Sequence, residues 1–478
     1  MNRVLILGGG FGGVAAARHL APDPGGSNDL EVRLINRTNF LTYTPFLADV
    51  AGGTIAVVHA VPPLRAMAPQ AQIEVADIET IDIAAQQVTV RLPDGRAETR
   101  GYDYLVIALG ATTSFRHGAG ASEFGLSLAT VADAYLLRNR VLEMLELASV
   151  SRDPALRREL LTFVFCGGGF SGIEGAAAIE DLVHEALSYY PSIAPGEPRF
   201  ILAPHGDRLL EQIDERLGVY VLERLRRRSV DVRLGVGVTA LTARSATLST
   251  GEVVPTRTVL WAAGIEVNPL LRDVDLPKDA HGALRVSRTL QVEGHDNVFA
   301  LGDCAAVPTA TPGAFYGPTA QNAEREGPVA AANIAALLRH EPAARRFDYA
   351  PIGSLASLGH REAVAQIRGL KVTGIPAWFL WRGVYLGKLP RFSRKLQVML
   401  DWGADLVSPA EIAYLPLGPH APVRATSDEG VAAAGEPAGD TGEPTAGTET
   451  PAAGTEAPAA GTEEPAAGEP PASGPRGG

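Results

Sequence analysis

The chain has 478 residues, 46% of them apolar, and a formal charge of −12. That length allows two or three domains around a large core. Two cysteines, Cys166 and Cys304, in no paired motif exclude a disulfide-stapled secreted scaffold, and no run of about 18 apolar residues exists to form a bilayer-spanning helix.

Residues 426–478 hold ten acids and one arginine, so the acidity belongs to a tail. The body shows no clustered basic face of the kind nucleic acid requires. The opening MNRVLILGGG is too short and too glycine-rich in its apolar run for a signal peptide.

In chain order, Val4–Leu7 predicts a strand, GGGFGG at 8–13 a glycine loop, and Val14–Leu20 a helix. EVRLI at Glu31–Ile35 predicts the next strand. Within Gln86–Arg100, alternating residues flank Pro93-Asp94-Gly95, which is a hairpin pattern. YLVIA (104–108) predicts a strand ending at Gly110, and Val131–Leu147 a helix. The same order then returns: strand Thr162–Phe165, loop GGGFSG at 167–172, helix Ile173–Leu187, strand Arg199–Ala203, and strand Arg257–Ala262 ending at Gly264.

Both loops fit Gly-x-Gly-x-x-Gly, with Gly8, Gly10 and Gly13 in the first and Gly167, Gly169 and Gly172 in the second. The first glycine permits a sharp strand-to-helix turn, the second lets backbone approach a pyrophosphate, and the third lets the helix pack on the sheet. The phosphate meets free N–H groups at the positive end of the helix. Two loops in this context predict two dinucleotide sites; one site plus a structural turn is the alternative. Flavin and nicotinamide are the natural pair, because hydride moves between them. Further on, VFALGDCAA (298–306) predicts a strand ending in Gly302-Asp303, which would bring a carboxylate to a flavin's ribityl and phosphate. The same aspartate could instead cap a helix.

Residues 374–406 contain Trp378, Trp381 and Trp402, with Arg382, Lys388, Arg391, Arg394 and Lys395 and no acid before Asp401. From Phe392, apolar Leu396, Met399, Leu400, Leu406 and Val407 recur at helical spacing. Tryptophans at headgroup level and cations toward anionic lipid would make this an interfacial membrane anchor over 374–407. A dimer-forming or domain-covering helix is the alternative. Last, PAAGTEA, PAAGTEE and PAAGE repeat with period seven and almost nothing to bury, which predicts disorder. A solvating appendage is the plain reading of this tail, a partner-binding segment the other.

Taken together, GGGFGG, YDYLVIALGAT (102–112), FCGGGFSGIE (165–174), LWAAGI (260–265), ALGDCA (300–305), TAQNAEREG (319–327) and the aromatic-basic segment resemble the two-dinucleotide flavoproteins. Within that group the likeness is to type II NADH dehydrogenases, membrane-surface NADH:quinone oxidoreductases, over about Val4 to Leu415. The resemblance implies an α/β architecture of two Rossmann-like dinucleotide-binding domains. Residues 1–115 and 280–340 would form a discontinuous FAD domain, and 116–279 the NAD(P)H domain with its linking helix. Residues 341–424 would form a C-terminal membrane-surface domain and 425–478 the disordered tail. The FAD site would use Gly8, Gly10, Phe11, Gly12, Gly13, Asn36, Arg37, Thr44, Pro45, Ile78, Ala108, Gly110, Ala111, Gly302, Asp303, Ala320 and Gln321. The NAD(P)H site would use Gly167, Gly169, Phe170, Ser171, Gly172, Ala263 and Gly264. Glu174 matches the family's acid near the flavin; an acid complementing its helix N-terminus is the alternative. Glu174, Gln321 and Arg325 form the expected catalytic set.

The chain departs from that pattern in places. The strand after the first loop ends in Asn36 and the strand after the second in Pro204, where an acid is expected to accept from ribose hydroxyls. An amide still accepts; proline does not, so weak discrimination between NADH and NADPH is expected. His205 and Arg208 stand near enough to meet a 2′-phosphate, although Arg208 could pair with a surface acid. In the quinone region Arg325 and Glu326 replace the family's frequent glutamines. Arg325 could polarise a quinone carbonyl or pair with Glu326 or Glu324. Neither cysteine has a partner in sequence, so a thiol acceptor is not expected, and Cys166 reads as a buried apolar residue. The whole reads as a metal-free, peripheral, non-proton-pumping FAD enzyme at the cytoplasmic face of the cell membrane. Hydride would pass from NADH or NADPH to FAD, and two electrons to a quinone entering beside Gln321 and Arg325. A homodimer is compatible with it. The alternatives are a reductase of a small electron-carrier protein and a pyridine-nucleotide-sensing flavoprotein.

Overall fold

Two copies of one strand–loop–helix motif organise the molecule. A computed structural model describes residues 1–20, 30–389, 392–405 and 411–414. Its main elements in chain order are β1 (Asn2–Leu7), α1 (Phe11–His19), β2 (Leu30–Asn36), α2 (Leu47–Gly52), β3 (Gln72–Val75), β4 (Asp77–Asp82), β5 (Gln87–Arg91), β6 (Ala97–Gly101), β7 (Tyr104–Ile107) and α3 (Val131–Val150). The second half continues with β8 (Thr162–Cys166), α4 (Phe170–Ala186), β9 (Arg199–Ala203), β10 (Val230–Val232), β11 (Thr258–Trp261), β12 (Val298–Ala300) and α5 (Ala320–Leu338). Then come β13 (Gly353–Ser357), β14 (Ala363–Ile367), β15 (Leu370–Thr373), α6 (Gly374–Lys388) and α7 (Phe392–Asp405).

The first sheet has the order β12-β7-β1-β2-β3 and the second β10-β9-β8-β11, both parallel throughout. Parallel strands covered on both faces read as continuous apolar runs, and Val4–Leu7 and Phe163–Cys166 are buried without alternation. Each glycine loop leaves a central strand, β1 or β8, and opens the helix that packs on that sheet. β12 completes the first sheet beside β7, Val298 pairing with Leu105, and α5 lies along α1 with Gly327 in contact with Gly12 and Ala15. The region 86–101 is the expected hairpin, β5 with β6, and β4 adds a third antiparallel strand. A capping box of Thr130 and Asp133 starts α3.

β13, β14 and β15 form an antiparallel sheet that leads into α6 and α7. Here one expectation is corrected. Trp378, Trp381 and Trp402 are buried in protein rather than displayed at a surface. Residues three and four apart share a helix face, and Trp378, Trp381 and Tyr385 use that face to meet the body. Phe46 packs edge-on to Trp402 at 5.8 Å between ring centroids, and Trp381 and Trp402 lie 6.2 Å apart. Arg382, expected to face lipid, sits between the rings of Trp378 (3.8 Å) and Trp402 (4.6 Å) and pairs with Asp405 at 3.5 Å. Asp401 of α7 accepts from the Ala56 N–H (3.2 Å) and pairs with His59. The exposed faces carry Ile375, Phe379, Phe392, Leu396, Met399 and Leu400 instead. Among the described residues, no helix is long and apolar enough to cross a membrane. The tail at 425–478, Arg391, Leu406 and Val407 lie outside the described residues.

Candidate functional site

In the first loop Gly8 has φ +104°, and a Cβ there would run into the Ala108 carbonyl; a Cβ on Gly13 would strike the Gly8 carbonyl. Gly12 is closed in by Leu301 and Ala323. By contrast, a Cβ on Gly10 or Gly110 would meet nothing within 4 Å. The loop is thus tight toward the sheet and open on the side a phosphate would take. Asn36 Oδ1 accepts from the Gly9 N–H at 2.8 Å, and its amide donates to the Thr38 carbonyl at 2.9 Å. The strand-end amide therefore holds the loop itself. Arg37 is exposed and pairs with Asp77 at 2.7 Å, and Ile78 is half-buried on β4.

A cavity of about 790 Å³ is lined by Ala111, Gly302, Asp303, Asn322 and Glu326. Burial raises the Asp303 carboxyl above the usual carboxylate range. Asn322 Oδ1 is buried with no donor. Glu326 accepts from the Gly302 N–H at 2.6 Å, and burial pushes it up to about 7. An unpaired acid, an orphaned amide oxygen and a glycine cradle that a Cβ would fill suit a long polar ligand such as FAD.

The second loop repeats the first. Gly167 has φ +116° beneath the Ala262 carbonyl, Gly172 is pressed on Gly167, and Gly169 and Gly264 face open space. Ser171 is exposed in the first turn of α4. A cavity of about 700 Å³ runs from Gly167–Gly169 and Ala263–Gly264 past Pro204 to Arg208 and Glu211. The strand end at Pro204 carries no acid, as the sequence implies, but Glu211, seven positions on, lines the same cavity. Arg208 donates to the Ile213 carbonyl at 2.6 Å, its Nε is buried without an acceptor, and no ion pair engages it among the described residues.

The two loops meet a third element. Phe11 and Phe170, the first residues of α1 and α4, line a cavity of about 180 Å³ together with Tyr43, Gln321, Tyr385 and Lys388. Pro45, in the turn opened by Thr44, and Ala320 border it too. Gln321 donates to the Gly353 carbonyl (2.9 Å) and accepts from the Tyr349 hydroxyl (3.2 Å), which fixes its amide. Arg325 does not pair with Glu326, whose carboxylate is turned to Gly302. It lies over the Tyr349 ring at 4.3 Å and donates to the Gln321 carbonyl at 3.1 Å. Lys388, expected toward lipid, lines the cavity instead, together with Glu324, and burial lowers its pKa. The signal was present, since Trp381, Tyr385 and Lys388 follow the i, i+4, i+7 spacing of one helix face.

Glu174 lies one turn into α4 and accepts from the Ser357 N–H at 2.9 Å, which joins α4 to β13. Burial, with Asp49 as a nearby like charge, pushes its carboxyl up to about 8. Asp49 is raised to about 7 by burial, moderated by Thr54 and Arg382. Elsewhere, Glu180, Asp181 and His360 have the spacing of a metal triad. The Arg228 guanidinium donates to both carboxylates, which makes the group an ion-pair knot. Cys166 and Cys304 are buried, and burial raises both thiols, to about 11 and about 12.

Residues 2–327 match the family model described as pyridine nucleotide-disulphide oxidoreductase, and residues 352–406 that of the NDH2 C-terminal domain. The chain is 32% identical over 422 residues to the type II NADH:quinone oxidoreductase Ndh of Mycobacterium tuberculosis, covering 85% of this chain and 88% of the relative. It is also 32% identical to the demethylphylloquinone reductase NdbB of Synechocystis sp., covering 84% of this chain and 95% of the relative. The structure of NDH2 from Plasmodium falciparum in complex with NADH has the same fold, with a TM-score of 0.80 at 18% identity over 86% of this chain and 99% of that one.

Proposed function

The chain belongs to the pyridine nucleotide-disulphide oxidoreductase family, in its type II NADH:quinone oxidoreductase branch, and on that premise we propose that it oxidises a nicotinamide dinucleotide at the second glycine loop and reduces a quinone beneath the C-terminal helices. One observation carries the reading. Phe11 and Phe170, the corresponding residues of the two glycine loops, share a single cavity with Gln321 and Lys388. Donor and acceptor paths that converge there would meet at one place. FAD, when bound along the first loop and the cavity of Asp303, supplies a two-electron carrier between nicotinamide and quinone.

The chain's own groups supply orientation and proton storage. Gly8–Gly13 and Gly167–Gly172 receive the two pyrophosphates, and Phe11, Phe170 and Tyr385 exclude water from the junction. Reducing a quinone with NADH consumes one proton beyond the hydride. Glu174, with its carboxyl raised to about 8, holds a proton at neutral pH. Lys388 and Gln321 face the cavity and are suited to hydrogen-bond a quinone carbonyl. Arg325 then acts through Gln321, whose backbone it holds.

Residues 1–115 with 280–340 form the FAD domain in this reading, 116–279 the nicotinamide domain and 341–424 the acceptor-side domain. The exposed apolar residues of α6 and α7 support peripheral docking on a lipid surface. The test is spectral. Purified protein is expected to be yellow, to bleach with NADH under anaerobic conditions, and to recover its colour with menadione. Colourless protein that takes up no flavin would overturn the reading.

A further inference from the structure

After β9 the chain passes Pro204, His205, Gly206, Asp207 and Arg208 and then doubles back. Leu209 and Leu210 are buried, and the Leu210 N–H donates to the Gly168 carbonyl at 2.9 Å, which fastens this turn to the second glycine loop. The next residue is Glu211, and its Oε1 lies over Gly206, where a Cβ would overlap it. Glycine at 206 lets the carboxylate lie close over the backbone there. The acid that proline denies to the end of β9 is thus returned to the same cavity from the far side of the turn.

We propose that Glu211 is the residue that selects NADH against NADPH. This rests on the reading of the second loop as the nicotinamide dinucleotide site. In a strand–loop–helix dinucleotide site the ribose 2′-position lies beside the end of the second strand. An ionised carboxylate only accepts hydrogen bonds, so it suits the two hydroxyls of an unmodified ribose. A 2′-phosphate would bring a second anion against it. No ion pair neutralises Glu211 among the described residues. Arg208 lines the same cavity, but one of its terminal nitrogens is committed to the Ile213 carbonyl.

The experiment compares the full-length holoprotein with Glu211→Gln. Glu211 is exposed, so the substitution leaves the fold intact. Calorimetric titration with 5′-AMP and with adenosine 2′,5′-bisphosphate isolates the ribose end without flavin chemistry. Stopped-flow bleaching of the flavin by NADH and NADPH gives the same ratio for whole nucleotides. The wild type is expected to favour AMP and NADH. Glu211→Gln is expected to lower both preference ratios at least tenfold, mainly by tightening the 2′-phosphorylated ligand. Ratios unchanged within twofold, with NADH still bleaching the flavin, overturn the role of Glu211 and leave the proposed function standing. A wild type that neither binds AMP nor bleaches with either nucleotide overturns both.

Discussion

The correction at α6 and α7 makes a sharp forecast about membrane attachment, because the tryptophans that suggested it are buried. In the proposed lipid docking, binding comes from the opposite face, where Phe392 is 80% exposed and Leu400 64%. Fully burying such a side chain is worth about 1.5–3 kcal/mol. Scaled by exposure, Phe392 and Leu400 together contribute about 3 kcal/mol on entering lipid. At about 1.4 kcal/mol per factor of ten, Phe392→Ser with Leu400→Ser should weaken vesicle binding ~100-fold. The assay is co-sedimentation with phosphatidylglycerol and phosphatidylcholine vesicles at fixed salt, with menadione turnover as the control for the site. Arg394 and Lys395 stand on the same helix, so binding should also fall as salt screens them. Binding within threefold of wild type would refute the assignment of this face to lipid.

Trp402→Ala removes a core ring, so it should cost about 3–5 kcal/mol in chemical unfolding; a loss of vesicle binding without a loss of stability would contradict the burial described. Gly8→Ala should give protein that fails to retain flavin, whereas Gly167→Ala should stay yellow, bleach with dithionite and no longer respond to NADH. The opposite pattern would exchange the two sites. Burial lifts the folded Glu174 carboxyl to about 8 from an ordinary value of 4.5. The folded chain therefore keeps a proton that the unfolded chain releases between those values. The associated stability is full below about pH 4.5 and is lost as pH rises through about 8. Urea midpoints across this range should fall less steeply in Glu174→Gln; a slope equal to wild type would exclude a raised carboxyl. Asp49, lifted to about 7, leaves a residual slope of the same sign in that variant.

Much of what lines the two loops was legible because it is written in local chemistry. Gly8, Gly13, Gly167 and Gly172 sit where any Cβ would strike backbone, a demand of the turn itself that marks the sequence directly. The apolar runs of β1 and β8 announced buried parallel strands for the same reason. What sequence could not show was direction. Trp378, Trp381 and Arg382 have the composition of an interfacial belt, and only the nearness of Phe46, Trp402 and Asp405 turns them inward. Lys388 belongs to the junction cavity because α6 lays one face on the body, a choice made by packing between residues more than 300 positions apart.

Glu211 shows the same division. By itself the sequence determined two glycine cradles, the strands that carry them and the absence of an acid at the end of β9, all consequences of neighbouring residues on one stretch of chain. Tertiary structure decided that the Glu211 carboxylate folds back to the cavity of the second loop, that Lys388 faces the junction and which side of α7 meets solvent. Those depend on how distant segments fold over one another, and no local spacing encodes that.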